Sequence, residues 1–307
     1  MNGKELLRTQ LETSICENKD VHVSLSDFFE LIKQDLSFLL PEIERVFIAL
    51  AGQSASGKST IAQKINEIVT DSSVLSMDNY LLGWSIGKLN HDTPQGEPPY
   101  LAGLNPGVYD LDRLEEDLQK LRLGQIIDQP IFNELTKTPS GSVTFTPTHT
   151  MIVDGIYSLD SRFLRFANLA YLVEADAHDR LIRKVFRNTT LHNETANSII
   201  KTYLTREEPS YKFHRARLEA AANLIVLNPF NPQLELQNQV KIDDATVSDA
   251  FPLQPKKETG TLKSGEKVFI FLDDERLFFC YANSGQLLLK EEIDQSTLDS
   301  LKKYYNF

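Results

Sequence analysis

Short apolar runs alternate with amphipathic stretches along the first three quarters of the chain. The runs are rich in β-branched residues and end at polar or turn-forming residues, as buried strands do. They occupy residues 46–50, 73–77, 150–153, 169–173 and 224–227. Because the stretches between them have helical spacing and exceed a hairpin turn in length, the pattern predicts a mainly parallel five-stranded sheet in a three-layer α/β/α fold.

The intervening stretches show apolar residues three or four positions apart, which indicates helices packed on the sheet. Ser26 and Asp27 are predicted to cap a helix that continues to Leu40 and stops at Pro41. Further helices are predicted over residues 60–69, 111–123 and 177–188, with more helix to about residue 222. Residues 83–107 show little periodicity and many Gly and Pro residues, so they are predicted to form a long functional loop.

The last quarter of the chain has a different pattern. Residues 229–262 are dominated by Asn, Gln, Asp, Pro and Lys, which is typical of a linker or an irregular segment. Three apolar runs follow over residues 267–289, and residues 295–305 have helical spacing. We therefore predict an N-terminal helical extension (1–44), a main domain (45–230), a linker (231–264) and a small C-terminal α+β meander (265–307).

The composition limits the classes of binding partner and the cellular compartment that can be predicted for the protein. The net charge is −11, which disfavours a general nucleic-acid or anionic-membrane surface, because both require a basic field. Cys16 and Cys280 lie far apart in sequence and imply no disulfide framework. No apolar run approaches the length needed to span a bilayer. These features predict a cytoplasmic protein that binds neither nucleic acid nor membrane, and they leave a homo-oligomer open.

One motif lies between the first predicted strand and the first predicted helix of the main domain. Gly52 to Ser59 has the spacing G-x-x-x-x-G-K-[ST], which predicts a phosphate-binding loop and a P-loop NTPase fold. Glycines permit a tight loop whose amides, together with the helix N-terminus, hold phosphate. Lys58 is predicted to contact the β/γ-phosphate oxygens and Ser59 to bind Mg²⁺. The predicted nucleotide-binding residues are Gly52, Ser54, Ala55, Ser56, Gly57, Lys58, Ser59 and Thr60.

Two carboxylates follow neighbouring predicted strands. Asp78 follows the second strand and Asp154 follows the third, at the sheet edge where such folds bind ligands. A kinase needs a carboxylate that accepts the hydroxyl proton, an acid that supports Mg²⁺ and cations that close over the phosphoryl group. A basic helix could supply the cations with Arg180, Arg183, Lys184 and Arg187, although charged helix faces are common.

The order of these motifs resembles the uridine kinase and phosphoribulokinase branch of P-loop kinases, and uridine kinases most closely. The resemblance extends from about residue 47 to residue 230. Beyond the phosphate loop it rests on Ser76–Tyr80, Val108–Asp110, Gln129–Phe132, Met151–Tyr157, Glu174–Arg187 and Ala222–Val226. By this resemblance, Asp78 is the base for the accepting hydroxyl and Asp154 is the acid near Mg²⁺. Arg183, Lys184 and Arg187 belong to a lid, with Arg183 and Arg187 as catalytic cations.

The resemblance also predicts acceptor contacts from Tyr80, Asp92, Phe132, Lys137 and Arg206. Phe132 and Lys137 stand where uridine kinases use a Tyr and a His to hold the base. Asp92 matches a ribose-binding Asp if Asn90–Pro94 is aligned with that motif. An alternative alignment uses Asn105-Pro106 and loses the Asp.

The lid departs from the uridine kinase pattern as well. Asn188 and then Leu191–Asn193 replace an Asp and an Arg-Gly-Arg segment. Two cations are therefore missing, and Arg206, or Arg215 and Arg217, could replace them.

The sequence thus favours an ATP- and Mg²⁺-dependent kinase acting on a small-molecule hydroxyl, with a nucleoside such as uridine or cytidine as the acceptor. One alternative keeps the reaction but uses another sugar, a polyol or a vitamin precursor. A second alternative is a nucleotide-dependent switch or assembly module, in which the C-terminal meander binds a partner and turnover needs no acceptor.

Overall fold

A parallel six-stranded sheet forms the centre of the computed structural model, which describes residues 22–83, 106–191, 194–229, 256–261, 267–273, 277–282 and 287–305. The strands are β1 (His22–Ser24), β2 (Val46–Gly52), β3 (Ser72–Ser76), β6 (Thr150–Asp154), β7 (Leu169–Glu174) and β8 (Leu224–Leu227). Their order across the sheet is β1-β8-β7-β2-β6-β3. All five predicted strands are present, and the predicted α/β class is confirmed.

The sixth strand, β1, was not predicted. It pairs in parallel with β8, with His22 opposite Ile225 and Ser24 opposite Leu227. Three residues of mixed polarity, two of them exposed, give no apolar run that a sequence pattern could detect. Ser24 also caps the next helix, α1 (Leu25–Leu39), and its hydroxyl accepts a hydrogen bond from the Asp27 amide at 3.2 Å. The predicted cap at Ser26 and Asp27 is therefore wrong by two residues.

Helices cover both faces of the sheet. Helices α1 and α2 (Lys58–Ile68) pack on one face, where Phe28 and Ile61 meet alternate strand residues such as Ile48. The opposite face is covered by α3 (Leu111–Arg122), α4 (Ser161–Leu164) and α7 (Glu208–Ala221). Phe47, which is adjacent to Ile48 in β2, points to that second face because successive side chains of a strand alternate. The predicted three-layer arrangement follows from this alternation.

A two-stranded antiparallel hairpin lies outside the central sheet. It consists of β4 (Ile127–Asn133) and β5 (Thr138–Phe145), which pair from Ile127 with Phe145 to Asn133 with Thr138. All but one of the β5 residues are exposed, so that strand carries no burial pattern in the sequence. The hairpin lies next to a 3₁₀ turn, Met77–Tyr80, because the amide of Phe132 donates to Asn79 Oδ1 at 3.3 Å.

The helical segment after β7 is not continuous. It consists of α5 (Ala177–Leu191), α6 (Ala196–Thr202), a π-helical turn (Tyr203–Glu207) and α7. Pro209 lies in the first turn of α7, directly after the π-helical turn, and its missing amide hydrogen interrupts the regular helical hydrogen-bond pattern there. The π-helical turn places Glu207 beside the phosphate loop.

The C-terminal region forms a four-stranded antiparallel sheet and one helix. The strands are β9 (Lys256–Thr261), β10 (Lys267–Asp273), β11 (Leu277–Ala282) and β12 (Leu287–Glu292), in the order β12-β11-β10-β9, followed by α8 (Gln295–Tyr305). The three predicted strands and the helix are present. β9 lies within the stretch predicted as a linker and pairs with β10. The division into domains stays a prediction.

None of the helices in the described part of the chain combines the length and the apolar character needed to cross a membrane.

Candidate active site

The phosphate-binding loop connects the C-terminal end of β2 to the N-terminus of α2. Gly57 precedes α2 with φ +91°, a left-handed conformation that favours glycine. A Cβ on Gly57 would lie 2.2 Å from Asn228 Nδ2, and one on Gly52 would lie 2.5 Å from Ser56 Oγ. Gly57 is therefore required by its left-handed backbone, and Gly52 by close approach, because a Cβ there would also lie 2.7 Å from the Val173 carbonyl oxygen.

Side chains from distant parts of the chain hold this loop from outside. Asn228 Nδ2 donates to the Ser56 carbonyl at 2.8 Å, and the Arg183 guanidinium donates to the same carbonyl at 3.3 Å. Gln53 Nε2 donates to the Glu207 carbonyl at 2.9 Å. The conformation of the loop is thus set by contacts with the segment after β8, with α5 and with the π-helical turn.

Asp154 lies at the end of β6, between the ends of two neighbouring strands. It pairs in register with Leu50 of β2 and with Ser76 of β3, and it is only 4% exposed. Burial raises the pKa of the Asp154 carboxyl, while the positive charge of Lys58 and a hydrogen bond from the Ser59 side chain oppose that rise. The motif lysine and serine therefore converge on this carboxylate.

The pair formed by Ser59 and Asp154 fits a magnesium ion. Oδ1 of Asp154 is buried and has no hydrogen-bond partner among the described residues, so it is available to a metal or a metal-bound water. Hydroxyl and carboxylate oxygens suit Mg²⁺, which usually retains waters and binds substrate phosphates. The described residues contain no cluster of three or more His, Cys, Asp or Glu side chains that could hold a metal. A metal here would thus take its remaining ligands from phosphate and water.

Asp78 lies near Asp154, in the 3₁₀ turn that follows β3. It is two residues beyond Ser76, the register partner of Asp154, and its side chain is half-buried. The two carboxylates are close enough that the charge of Asp78 contributes to raising the pKa of Asp154. The structure thus brings Asp78 and Asp154 together beside the phosphate loop. Tyr109 Oη donates a hydrogen bond to Asp78 Oδ1 at 3.2 Å.

Comparison with known protein families identifies a match to this chain. A model of the "Phosphoribulokinase / Uridine kinase family" matches residues 47–228, which is more than half of the chain. The chain belongs to the phosphoribulokinase and uridine kinase family.

Individual relatives agree with this assignment over the same region. Uridine kinase from Deinococcus deserti is 31% identical over 173 residues, which cover 53% of this chain and 78% of the relative. Uridine kinase from Chlamydia pneumoniae is 28% identical over 185 residues, or 59% of this chain and 81% of the relative. Inorganic pyrophosphatase TTM2 from Arabidopsis thaliana is 26% identical over 199 residues, or 64% of this chain and 28% of that protein.

Membership in this family makes the protein a P-loop kinase, a phosphotransferase that acts on a small-molecule hydroxyl and takes a nucleotide with a metal. The resemblance stated from the sequence motifs is confirmed.

The four cations of α5 lie on one face of this helix, because they are three or four residues apart, but they have different partners. Arg180 pairs with Glu208, and its guanidinium carbon lies 4.8 Å from the Tyr211 ring centroid. Arg183 donates to loop carbonyls, which makes it a support of the loop. Arg187 Nε donates to the Asn188 side chain at 3.0 Å. Glu208 and the loop carbonyls thus engage two members of the predicted cationic face, and the catalytic role of Arg183 and Arg187 in a lid stays a prediction.

Lys184 is the member of this set that reaches the loop residue Ser54. Its Nζ lies 3.3 Å from Ser54 Oγ and 2.6 Å from Glu207 Oε1, and its side chain is 9% exposed. Glu207 was not anticipated, because its approach depends on the π-helical turn. Arg215 contacts Glu174 at 2.9 Å and Arg217 lies 3.5 Å from Asp160, so both are engaged with acids. Arg206 is exposed on the π-helical turn, and its role as a replacement cation stays a prediction.

The residues predicted to bind the acceptor substrate lie in different environments. Tyr80 is 1% exposed, and its hydroxyl donates to Asp117 Oδ2 at 2.9 Å within the core on the α3 side. Direct contact between Tyr80 and an acceptor is therefore not supported, because both its ring and its hydroxyl are engaged. Phe132 is half-buried next to the turn that carries Asp78. Lys137 lies 4.0 Å from Glu194, and Asp92 lies outside the described residues.

Tyr109 and Asn228 are site residues that the sequence analysis did not assign. Val108–Asp110 contributed to the family resemblance. Its sequence, however, does not show that Tyr109 contacts Asp78, which lies 31 positions earlier in the chain. Asn228 directly follows the predicted fifth strand, a position that could have suggested a role at the sheet edge.

Proposed function

We propose that this kinase uses Mg²⁺-ATP and transfers the γ-phosphoryl group to a hydroxyl of a nucleoside-like small molecule. The observation that carries the proposal is the juxtaposition of Asp78 and Asp154 at the ends of neighbouring strands beside the phosphate loop. The buried Asp154 carboxylate contacts the motif serine, and the Asp78 carboxylate is half-buried near it. Two carboxylates in different environments can divide metal support from proton acceptance.

Each residue has a defined part in the proposed transfer. Asp78 accepts the proton of the acceptor hydroxyl as its oxygen bonds to the γ-phosphorus and the bond to the β–γ bridging oxygen breaks. The products are ADP, the phosphorylated acceptor and a protonated Asp78. Lys58 neutralises charge on the phosphate oxygens, and Lys184, whose ammonium lies near Ser54 of the loop, can contribute a second positive charge. Bound Mg²⁺, held at Ser59 and Asp154, would supply positive charge to the β- and γ-phosphates.

The nucleoside-like acceptor is supported by the family and by the uridine kinases among its relatives. A second candidate keeps the reaction but uses another sugar or polyol hydroxyl. The engagement of Lys137 with Glu194 favours it, because that lysine stands where uridine kinases use a base-binding residue. Asp78 has the same role in both cases.

The experiment compares wild-type protein with Asp78→Asn. Wild type is expected to phosphorylate at least one member of a panel of nucleosides, sugars and polyols, detected by chromatography of the product with ADP release in parallel. Asp78→Asn should bind Mg²⁺-ATP in calorimetry as wild type does, while its kcat falls by about 10³-fold, within the usual range for a lost general base.

Asp128→Asn is the matched control, because it makes the same change on an exposed strand residue. Its kcat should equal that of wild type. Full turnover in Asp78→Asn would remove the assigned base. Release of inorganic phosphate from ATP by wild type without any phosphorylated acceptor would replace the proposed transferase by a hydrolase.

A further inference from the structure

The Asp78 carboxylate has one hydrogen-bond partner among the described side chains. Tyr109 Oη donates to Asp78 Oδ1 at 3.2 Å, and no other described residue forms a hydrogen bond with that carboxylate. Among the described residues, the second oxygen, Oδ2, has no hydrogen-bond partner and can accept one from a ligand. A base that acts on one substrate hydroxyl needs this asymmetry, because a carboxylate that rotates freely spends little time in the reactive orientation.

Tyr109 is itself fixed by its backbone. The segment Val108–Asp110 runs antiparallel to the chain just after Asp78, with Tyr109 opposite Leu81. Two hydrogen bonds secure it, from the Leu82 amide to the Val108 carbonyl at 2.9 Å and from the Asp110 amide to the Tyr80 carbonyl at 2.8 Å. The donor and the acceptor of the side-chain hydrogen bond thus lie on two segments that are directly paired.

The ring of Tyr109 is fixed as well. It meets the ring of Tyr157 edge-on at 5.4 Å between centroids, and Tyr157 follows Asp154 by three residues. Burial, with the negative charge of Asp78 as the next cause, raises the pKa of the Tyr109 hydroxyl well above its ordinary value. The hydroxyl therefore remains a proton donor at any pH at which the protein would be assayed.

We propose that Tyr109 is the positioning residue of the transfer reaction: its hydroxyl holds one oxygen of Asp78 and thereby orients the other toward the acceptor hydroxyl. This inference rests on the proposed role of Asp78 as the base. Tyr109 does not touch the reacting atoms, and it acts only through the carboxylate. Its loss should consequently slow the chemical step and leave the binding of both substrates nearly unchanged.

The test is Tyr109→Phe, which removes the hydroxyl and keeps the ring against Tyr157. The expected result is a fall in kcat of about tenfold, in line with the loss of a hydrogen bond to a charged group, with both KM values within about twofold of wild type. In an Asp78→Asn background, measured in single turnovers with radiolabelled ATP, the same substitution should change the rate less than about twofold, because there is no charged base left to orient.

Tyr171→Phe is the matched control. Its hydroxyl also donates to a carboxylate, Asp35 Oδ2 at 3.0 Å, but on the sheet face covered by α1. It should leave kcat unchanged. A kcat within twofold of wild type for Tyr109→Phe, or a tenfold loss that persists in the Asp78→Asn background, would overturn the inference while the proposed function stands.

A readout that is independent of turnover separates the two proposals. In a crystal structure of Tyr109→Phe, we expect the Asp78 carboxylate in a rotated or multiple orientation, with the backbone of Met77–Tyr80 unchanged. A single unchanged carboxylate would count against the inference even if no acceptor were found. Failure of the proposed function would instead show as an active Asp78→Asn variant or as a wild-type protein that phosphorylates no hydroxyl.

Discussion

At the scale of single residues, Asp154 lies in surroundings that favour binding of a ligand at a cost to the stability of the fold. Its carboxylate is nearly fully buried, one of its oxygens has no partner among the described residues, and burial outweighs Lys58 and Ser59 in raising its pKa. Burial without complete hydrogen bonding is costly for a charged group. The folded protein therefore holds a carboxylate that a bound cation would satisfy.

We predict that Asp154→Asn stabilises the nucleotide-free protein at pH 7 by about 1 kcal/mol, although it should abolish turnover. Because the pKa of Asp154 is raised on folding, the folded state binds the proton more tightly than the unfolded state. The stability of wild type therefore falls as pH rises through the interval above the ordinary carboxyl pKa, and a neutral amide avoids that fall.

Urea titrations from acid to neutral pH measure this effect. The advantage of Asp154→Asn should disappear below about pH 4, where both states of wild type carry the proton. The exposed Asp128→Asn substitution should change the free energy of unfolding by less than about 0.5 kcal/mol at any pH. A lower stability of Asp154→Asn at pH 7 would show that the contacts with Lys58 and Ser59 outweigh burial.

Residues that follow buried strands could be assigned from sequence, whereas their supports could not. Asp78 and Asp154 were found because apolar runs mark strands, and the ends of parallel strands meet at one sheet edge. Tyr109 and Glu207 contact the site through pairings between distant segments. Tyr80 was misplaced for a related reason, since adjacency to Asp78 in sequence does not show that the ring turns into the core.

At the scale of elements, the π-helical turn connects the basic helix to the phosphate loop. Glu207 binds Lys184 through its carboxylate and Gln53 through its carbonyl, so one residue touches both elements. A regular helix would shift the position of Glu207 relative to Lys184, because a π-turn inserts one extra residue. Irregular helical turns of this kind often occur at functional sites.

We predict that Lys184→Met lowers the free energy of unfolding by about 2 kcal/mol, because Glu207 would retain a largely buried charge without its cation. Lys33→Met is the matched control. It breaks an ion pair with Glu30 in which both side chains are at least half exposed, and it should change stability by less than about 0.5 kcal/mol. Urea denaturation monitors both variants, and equal midpoints for the two would show that the Lys184 pair adds nothing to stability.

Whether the hydrophobic pattern predicted a strand depended on how much of that strand is buried. Central strands such as β2 and β7 are buried along their whole length and are therefore apolar, except for Glu174 at the end of β7. Strand β5 is exposed at nearly every position, and β1 has three residues, so neither has the burial that produces a readable pattern. The missed elements are those whose pairing is fixed by backbone hydrogen bonds rather than by an apolar face.

At the scale of the whole molecule, the C-terminal helix contacts the segment that supports the phosphate loop. The amide of Asp294 donates to Asn197 Oδ1 of α6 at 2.6 Å, and Lys212 Nζ of α7 lies 5.1 Å from the Tyr304 ring centroid. Leu301 of α8 is fully buried. The C-terminal region thus packs on the helices that flank the π-helical turn.

We predict that Leu301→Ala destabilises this packing by about 3 kcal/mol, a typical value for removing a buried leucine side chain. Amide hydrogen exchange should accelerate in α8 and also in Ala196–Thr202, while the buried strand Val46–Gly52 should keep its protection. Leu135→Ala, at a position that is 74% exposed, should leave exchange unchanged. Acceleration confined to α8 would show that the two regions open independently.

The short first strand has a consequence for how this protein would behave if it were trimmed. His22–Ser24 pairs with the outer edge of the apolar strand Leu224–Leu227. Without this pairing, that edge would present backbone amides and carbonyls that lack hydrogen-bond partners. Uncovered edges of this kind recruit strands from other molecules. A version beginning at Leu25 would keep every residue discussed for phosphoryl transfer, yet it should self-associate and precipitate at concentrations at which the full chain stays dispersed.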